Sequence, residues 1–128
     1  IGVTTARSAM AGEGLPPDSL TLLEERSDAA LVDLRRRGAQ FEVTFVDGYH
    51  RFDDVLVDFT LAAPMCPIGG AIVLHDMWLG SIAAVAGFLR ANRPDFVELE
   101  TGCQNLFAVR RVALDERNWN HFVSFPMR

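Results

Sequence analysis

The sequence contains no lysine: all twelve basic residues are arginine. That bias fits the codon usage of a GC-rich genome and carries no mechanism. Positive charge is scarce altogether. Seventeen acidic residues outweigh it to a net charge of −5 and a pI near 5.1. A general nucleic-acid binder needs a basic face, so that class is excluded. A solvated helix end accounts for the single basic run, Arg35-Arg36-Arg37. Cysteine is limited to Cys66 and Cys103. They lack CxxC spacing, which excludes a disulfide scaffold or zinc finger and leaves free thiols in a reducing cytoplasm as the expectation. No secretory signal is evident and no apolar run approaches the roughly 18 residues of a membrane span, so no membrane association is expected. The phosphate-cradling patterns GxGxxG and GxxxxGK[ST] are absent. None of the serines sits in the G-x-S-x-G setting of a nucleophile elbow.

What is present points to a layered fold. Hydrophobic residues make up 49 % of 128 positions and mean hydropathy is +0.14, enough for one domain with a single core. No internal repeat or interdomain linker interrupts it. Residues 3–11 read as a helix broken by Gly12-Glu-Gly-Leu-Pro-Pro, and residues 20–24 as a short strand. Ser27 is placed to cap a helix running to Arg37, with Gly38 ending it. A strand over 41–46 precedes a helix opened by Asp53 and Asp54, whose acids suit the helix dipole. A strand over 71–74 precedes a helix capped by Ser81 and closed by Asn92-Arg-Pro94. Residues 96–100 and 106–112 read as a closing antiparallel pair. The aromatic tail over 115–128 is expected to pack down. Strand–helix alternation of this kind predicts an α/β fold: a Rossmann-like, mostly parallel sheet with helices on both faces.

Two strand ends concentrate the chemistry. Phe-Glu-Val-Thr-Phe-Val-Asp-Gly-Tyr-His (41–50) and Ala-Ile-Val-Leu-His-Asp-Met-Trp (71–78) are apolar runs that stop at a carboxylate with an imidazole close by. Continuous apolar runs suit strands buried on both faces. Ligands of open α/β sheets bind outside the carboxyl ends of such strands. One shared polar site, built on Asp47 and Asp76, is therefore expected. The alternative is a carboxylate accepting N–H bonds from its own turn. For His75 the alternative is a satisfied half-buried ring, for His50 a turn contact, and for His121 a structural role. Asp53, Asp54 and Asp58 read as capping and solvated helix positions. Trp78 either walls a substrate pocket or packs.

Residues 41–58 (FEVTFVDGYHRFDDVLVD) resemble the fourth-strand segment of class I S-adenosylmethionine-dependent methyltransferases. Pro67-Ile-Gly-Gly followed by Ala-Ile-Val-Leu-His-Asp resembles their next strand. The branch it resembles holds small-molecule O-methyltransferases and cephalosporin-hydroxylase-like proteins, and the likeness extends through the tail's Asp-Glu-Arg-Asn-Trp-Asn-His-Phe. The resemblance implies S-adenosylmethionine as cofactor, a small-molecule substrate, and Glu25, Arg26, Ser27 and Asp47 as cofactor contacts. It further implies a divalent metal on Asp47, His75 and Asp76. Relatives usually carry two acids or Asp-Asn where His75 and Asp76 stand. Oxygen ligands suit Mg²⁺, whereas an imidazole shifts preference towards Mn²⁺, Fe²⁺ or Zn²⁺. His50 or His75 would take the substrate proton.

The glycine-rich loop after the family's first strand and the acid after its second have no counterpart here. With Ile1 rather than Met first, the expectation is an N-terminally truncated domain. Two other functions fit the same residues. One is an inactive remnant pairing through exposed strand edges, for instance as a homodimer. The other is a metal-dependent hydrolase or oxygenase that uses Asp47, His75 and Asp76 without the cofactor.

Overall fold

A computed structural model describes residues 2–126. Ile1, Met127 and Arg128, the last two belonging to the expected tail, lie outside the described residues. In chain order the elements are α1 (Gly2–Gly12), a 3-10 turn (Pro17–Ser19), α2 (Ser27–Arg36), β1 (Val43–Val46) and α3 (Phe52–Ala62). A second 3-10 turn (Ala63–Met65), β2 (Ala71–His75), α4 (Gly80–Asn92), β3 (Phe96–Leu99) and β4 (Leu106–Arg111) follow.

The strands form one sheet in the order β1-β2-β4-β3. β1 and β2 are parallel, while β4 is antiparallel to both β2 and β3. The expected α/β sheet and its closing antiparallel pair are present. Parallel pairing is confined to β1–β2, because β4 inserts between β2 and β3.

Helices α3 and α4 pack on one face of the sheet. Ile72 and Leu74 of β2 and Phe107 and Val109 of β4 point into them, meeting Val55 and Phe59 of α3 and Val85 and Leu89 of α4. Each such large side chain contributes about 1.5–3 kcal/mol on burial. The opposite face is covered far less, leaving Val43, Phe45 and Val97 66, 55 and 52 % exposed. Covering helices on both faces were expected; the crossovers explain the difference. β1-α3-β2 and β2-α4-β3 both join parallel strands and both step the same way across the sheet. Right-handed crossovers stepping in one direction place their helices on one face.

Residues 20–24 form no strand; they run extended, with Leu22 and Leu23 46 and 43 % exposed. A strand exists only through a partner's ladder, and none lies beside this segment among the described residues. Nor do Ser27 and Ser81 cap their helices. The capping positions are Arg26 and Leu79, without side-chain caps, because both hydroxyls are drawn to distant partners: Ser27 Oγ donates to Asp58 Oδ1 (2.7 Å) and Ser81 Oγ to the His50 carbonyl (2.5 Å).

The tail is fastened to α4. The Asn92 side chain, 1 % exposed, donates to the Val123 carbonyl (2.8 Å) and accepts from the Val123 N–H (2.7 Å), as a neighbouring strand would. Phe125 meets Phe88 edge-on, with Pro126 over Gly87. The expected packing is thus achieved by Phe125, while Trp119 stays 97 % exposed. Beneath the tail, Arg93 and Asp95 form a buried two-pronged ion pair at 2.9 and 2.7 Å, with the guanidinium over Phe59 and Phe96.

Candidate functional site

The sheet register assembles the site. Val46 lies opposite Leu74 in the parallel pair, so one residue further Asp47 faces His75. His75 lies opposite Leu106 in the antiparallel pair, so Asn105 comes beside Asp76. His50 arrives on the short connection to α3, where Ser81 of α4 holds its carbonyl. Three strand ends and two helix starts thus converge on a few side chains.

Their contacts are dense. His50 Nε2 lies 2.7 Å from Asp76 Oδ2 and 4.0 Å from Asp47 Oδ1. His75 Nδ1 sits between the two acids, 3.1 Å from Asp47 Oδ1 and 3.2 Å from Asp76 Oδ1. Its other nitrogen, Nε2, is 3.2 Å from Asn105 Nδ2. Asp76 Oδ1 also accepts from Trp78 Nε1 (3.2 Å) and Asn105 Nδ2 (3.4 Å). Partial burial pushes the Asp76 carboxyl up, but the bonds from Trp78, Asn105 and His50 and the nearby His75 ring outweigh it and hold the carboxyl below its usual range. Asp76 has φ +66°, the only positive φ outside glycine among the described residues. Strain of this kind gathers at functional sites.

Asp47, His50 and Asp76 offer ligand atoms all within 4.8 Å of one another, a spacing a single ion can span. The donor set, two carboxylates with imidazoles, fits a divalent cation. Asn105 adds an independent sign: its Oδ1 is buried and unpartnered beside this cluster.

A groove of about 340 Å³ runs from the same strand end along α2 and α3, lined by Ser27, Ala30, Leu31, Val46, Asp47 and Asp58 among others. Asp58 is 8 % exposed rather than a solvated helix position; burial raises its pKa, and the Ser27 hydrogen bond opposes that. Ser27 and Asp47 therefore share one groove. Arg26 lines a smaller pocket of about 90 Å³ with Tyr49 and Asp54, its guanidinium 3.3 Å from Asp28 and 3.9 Å from Asp54. Glu25 is exposed and lines neither pocket. Trp78, 73 % exposed, lines neither of these two pockets; its indole N–H braces Asp76. His121 lies apart, its Nε2 buried without a partner. Sequence reasoning missed Asn105 and the burial of Asp58. Only the insertion of β4 beside β2 brings Asn105 to the site, and its own neighbourhood in the sequence carries no sign of that.

The fold and this strand-end site define an α/β domain with its polar centre at the carboxyl ends of adjacent parallel strands. A family model described as a methyltransferase domain matches residues 4–77, more than half of the sequence, and the chain belongs to that family. No curated protein sequence matches it. Among solved structures it is similar to MycE methyltransferase from the mycinamycin biosynthetic pathway. In a complex of that enzyme with Mg and SAH the identity is 20 % and the TM-score 0.58, over 80 % of this chain. In another with Mg, SAH and mycinamycin VI the identity is 19 % and the TM-score 0.57, over 80 % of this chain. The chain spans about a third of the length of these structures, 34 % in both. At such identity the likeness bears on fold, and the fold expected from the sequence is met. Among the described residues, no helix is long and apolar enough to cross a membrane.

Proposed function

We propose that this domain takes part in S-adenosylmethionine-dependent, metal-assisted O-methylation of a small molecule. The observation that carries the reading is the convergence of Asp47, His50 and Asp76 at the ends of two adjacent strands. Membership of the methyltransferase family supports it, as do the SAH, Mg and mycinamycin VI bound by MycE. Asp47 and Asp76 would hold the ion, and the groove over Ser27 and Asp47 would take the nucleoside end of the cofactor. When bound, the ion supplies acidity to a substrate hydroxyl and the cofactor supplies the methyl group.

The chain's own residues then divide the remaining work. Asp76 accepts from His50 Nε2 and so orients the ring, leaving Nδ1 without a partner among the described residues. That arrangement, a carboxylate aiming an imidazole, suits His50 to accept the hydroxyl proton at Nδ1. His75 is less suited to this role, because both of its ring nitrogens are already engaged. Ser81 holds the His50 backbone and fixes where that ring sits.

Calorimetric titration of the chain with S-adenosylhomocysteine, then with Mg²⁺ or Mn²⁺, tests the reading. Binding of both supports it; absence of cofactor binding to the full-length polypeptide overturns it. Metal binding alone would favour a cofactor-independent metalloenzyme on the same acids.

A further inference from the structure

A third groove, of about 330 Å³, opens beside the Asp76 turn along the seam between α4 and the β3–β4 hairpin. β2 and β3 both run antiparallel to β4, so their carboxyl ends point the same way. The connection after β3 therefore emerges at the same end of the sheet as the strand-end site. Its last residue, Asn105, touches His75 and Asp76, while Glu100 to Gln104 wall the groove. Met77, the neighbour of Asp76, also lines the groove and donates its N–H to the Asn105 carbonyl (3.3 Å). Site and groove thus share a wall.

We infer that this groove binds the methyl acceptor, and that the acceptor is a hydroxylated small molecule carrying a cationic amine, held by Glu100. This rests on the methyltransferase reading above and deepens it by giving the substrate a chemical class.

Three observations carry it. The first is charge. Arg90 donates twice to Glu98, at 2.6 and 2.9 Å, with its guanidinium 4.9 Å from the centre of the Phe107 ring, so these two charges cancel. Glu100 has no hydrogen-bond or ion-pair partner among the described residues. The groove therefore carries one uncompensated negative charge, which suits one positive charge on a ligand. The second is rigidity. Thr101 Oγ1 donates to the Cys103 carbonyl (2.9 Å) and accepts from the Cys103 N–H (3.1 Å), and the Leu106 N–H donates to the same carbonyl (3.2 Å). Gly102 takes φ +67° inside this turn. The wall is thus formed before a ligand arrives, which lowers the ordering cost of binding. The third is polarity and size. The lining is largely polar, and the Gln104 amide is also unpartnered among the described residues, so hydroxyl groups are better matched here than an apolar ring. The volume falls in the range of roughly 300–1,000 Å³ typical of small-molecule sites.

The groove holds its own reporter. Cys103 is exposed and lines it, whereas Cys66 is 1 % exposed. N-ethylmaleimide, a small neutral reagent, should label the folded chain once, at Cys103, as read by mass spectrometry. The probes are glucosamine, at slightly acid pH where its amine is charged, and glucose, which has a hydroxyl in place of that amine. Glucosamine should slow the labelling at concentrations about 3–10-fold below those glucose requires. Glu100→Gln should abolish the difference, and high salt should shrink it. Amide shifts of Thr101 to Gln104 in the wild-type chain should follow the same order of probes. That comparison needs no variant, so a folding defect in Glu100→Gln cannot shield the inference. Equal protection by both probes, protection by neither, or a preference that persists in Glu100→Gln overturns it. If S-adenosylhomocysteine and Mg²⁺ bind while neither probe shields Cys103, the inference falls and the methyltransferase reading stands. If glucosamine shields Cys103 but the cofactor does not bind the full-length polypeptide, the amine site stands and the methyltransferase reading falls.

Discussion

Asp95→Ala removes the carboxylate that neutralises Arg93 and leaves a cation 7 % exposed by side chain without a close partner. The next acid, Asp115, stands 3.9 Å away and is already held by Arg117. Breaking a buried ion pair from one side costs about 3–5 kcal/mol, because the remaining charge stays desolvated. Domains are stable by only about 5–15 kcal/mol, so this is a large fraction of the total. At roughly 4 °C per kcal/mol for a domain of this size, the melting temperature should fall by about 12–20 °C. Arg93→Met should be costly too, leaving Asp95 buried at 1 % exposure and giving up the stacking on Phe59 and Phe96. The double variant is the decisive one. With neither charge present and Met filling the space between the rings, it should recover most of the loss. Urea denaturation followed by circular dichroism on all four proteins closes the cycle. Additive losses in the double variant, or a loss below about 1 kcal/mol in Asp95→Ala, would refute the claim that desolvation dominates here.

Further outcomes follow from other contacts. Burial raises the Asp58 pKa in the folded chain, so folding favours its protonated form; its ionisation weakens stability as pH rises through the folded value. Asp58→Asn should therefore be more stable than wild type at neutral pH, with the gap closing as pH falls below the ordinary carboxylate range; thermal melts from pH 3 to 8 read this directly. At Gly87 an added Cβ would lie 2.5 Å from the Pro126 carbonyl. Gly87→Ala should release the tail at a cost of about 1–3 kcal/mol, seen as faster proteolysis after residue 115. Asn92→Leu keeps the branched outline of the side chain but strands both polar groups of Val123, costing about 1–3 kcal/mol in chemical denaturation.

The strand-end acids were legible in the sequence because an apolar strand that stops at a carboxylate sets that charge where burial ends and a ligand can reach it. Parallel register then did what the alternation implied: Asp47 faces His75 because Val46 faces Leu74. Asn105 was invisible because it stands 30 positions from His75, and its role depends on β4 entering the sheet beside β2 rather than only beside β3. Ser27 and Ser81 look like helix caps in any local window. Their hydroxyls serve other elements, each 31 positions away, and no local rule anticipates that. Residues 20–24 have strand composition, but composition supplies no partner. Asp58 reads as solvated in a helix that is otherwise amphipathic; its burial reflects how α2 leans on α3 beside β1.

The left-handed backbone of Asp76 narrows what evolution can place there. Glycine takes φ +66° without strain, and asparagine and aspartate take it at modest cost; other residues lose about 1–2 kcal/mol. Glycine would relax the turn but delete the carboxylate, and asparagine would keep the hydrogen bonds but lose the charge. Of the three, only aspartate keeps both the turn and the negative charge. A saturation library at this single codon, scored once for folded yield and once for metal binding, would give two different winners, and the distance between them measures how far this position serves the site rather than the fold.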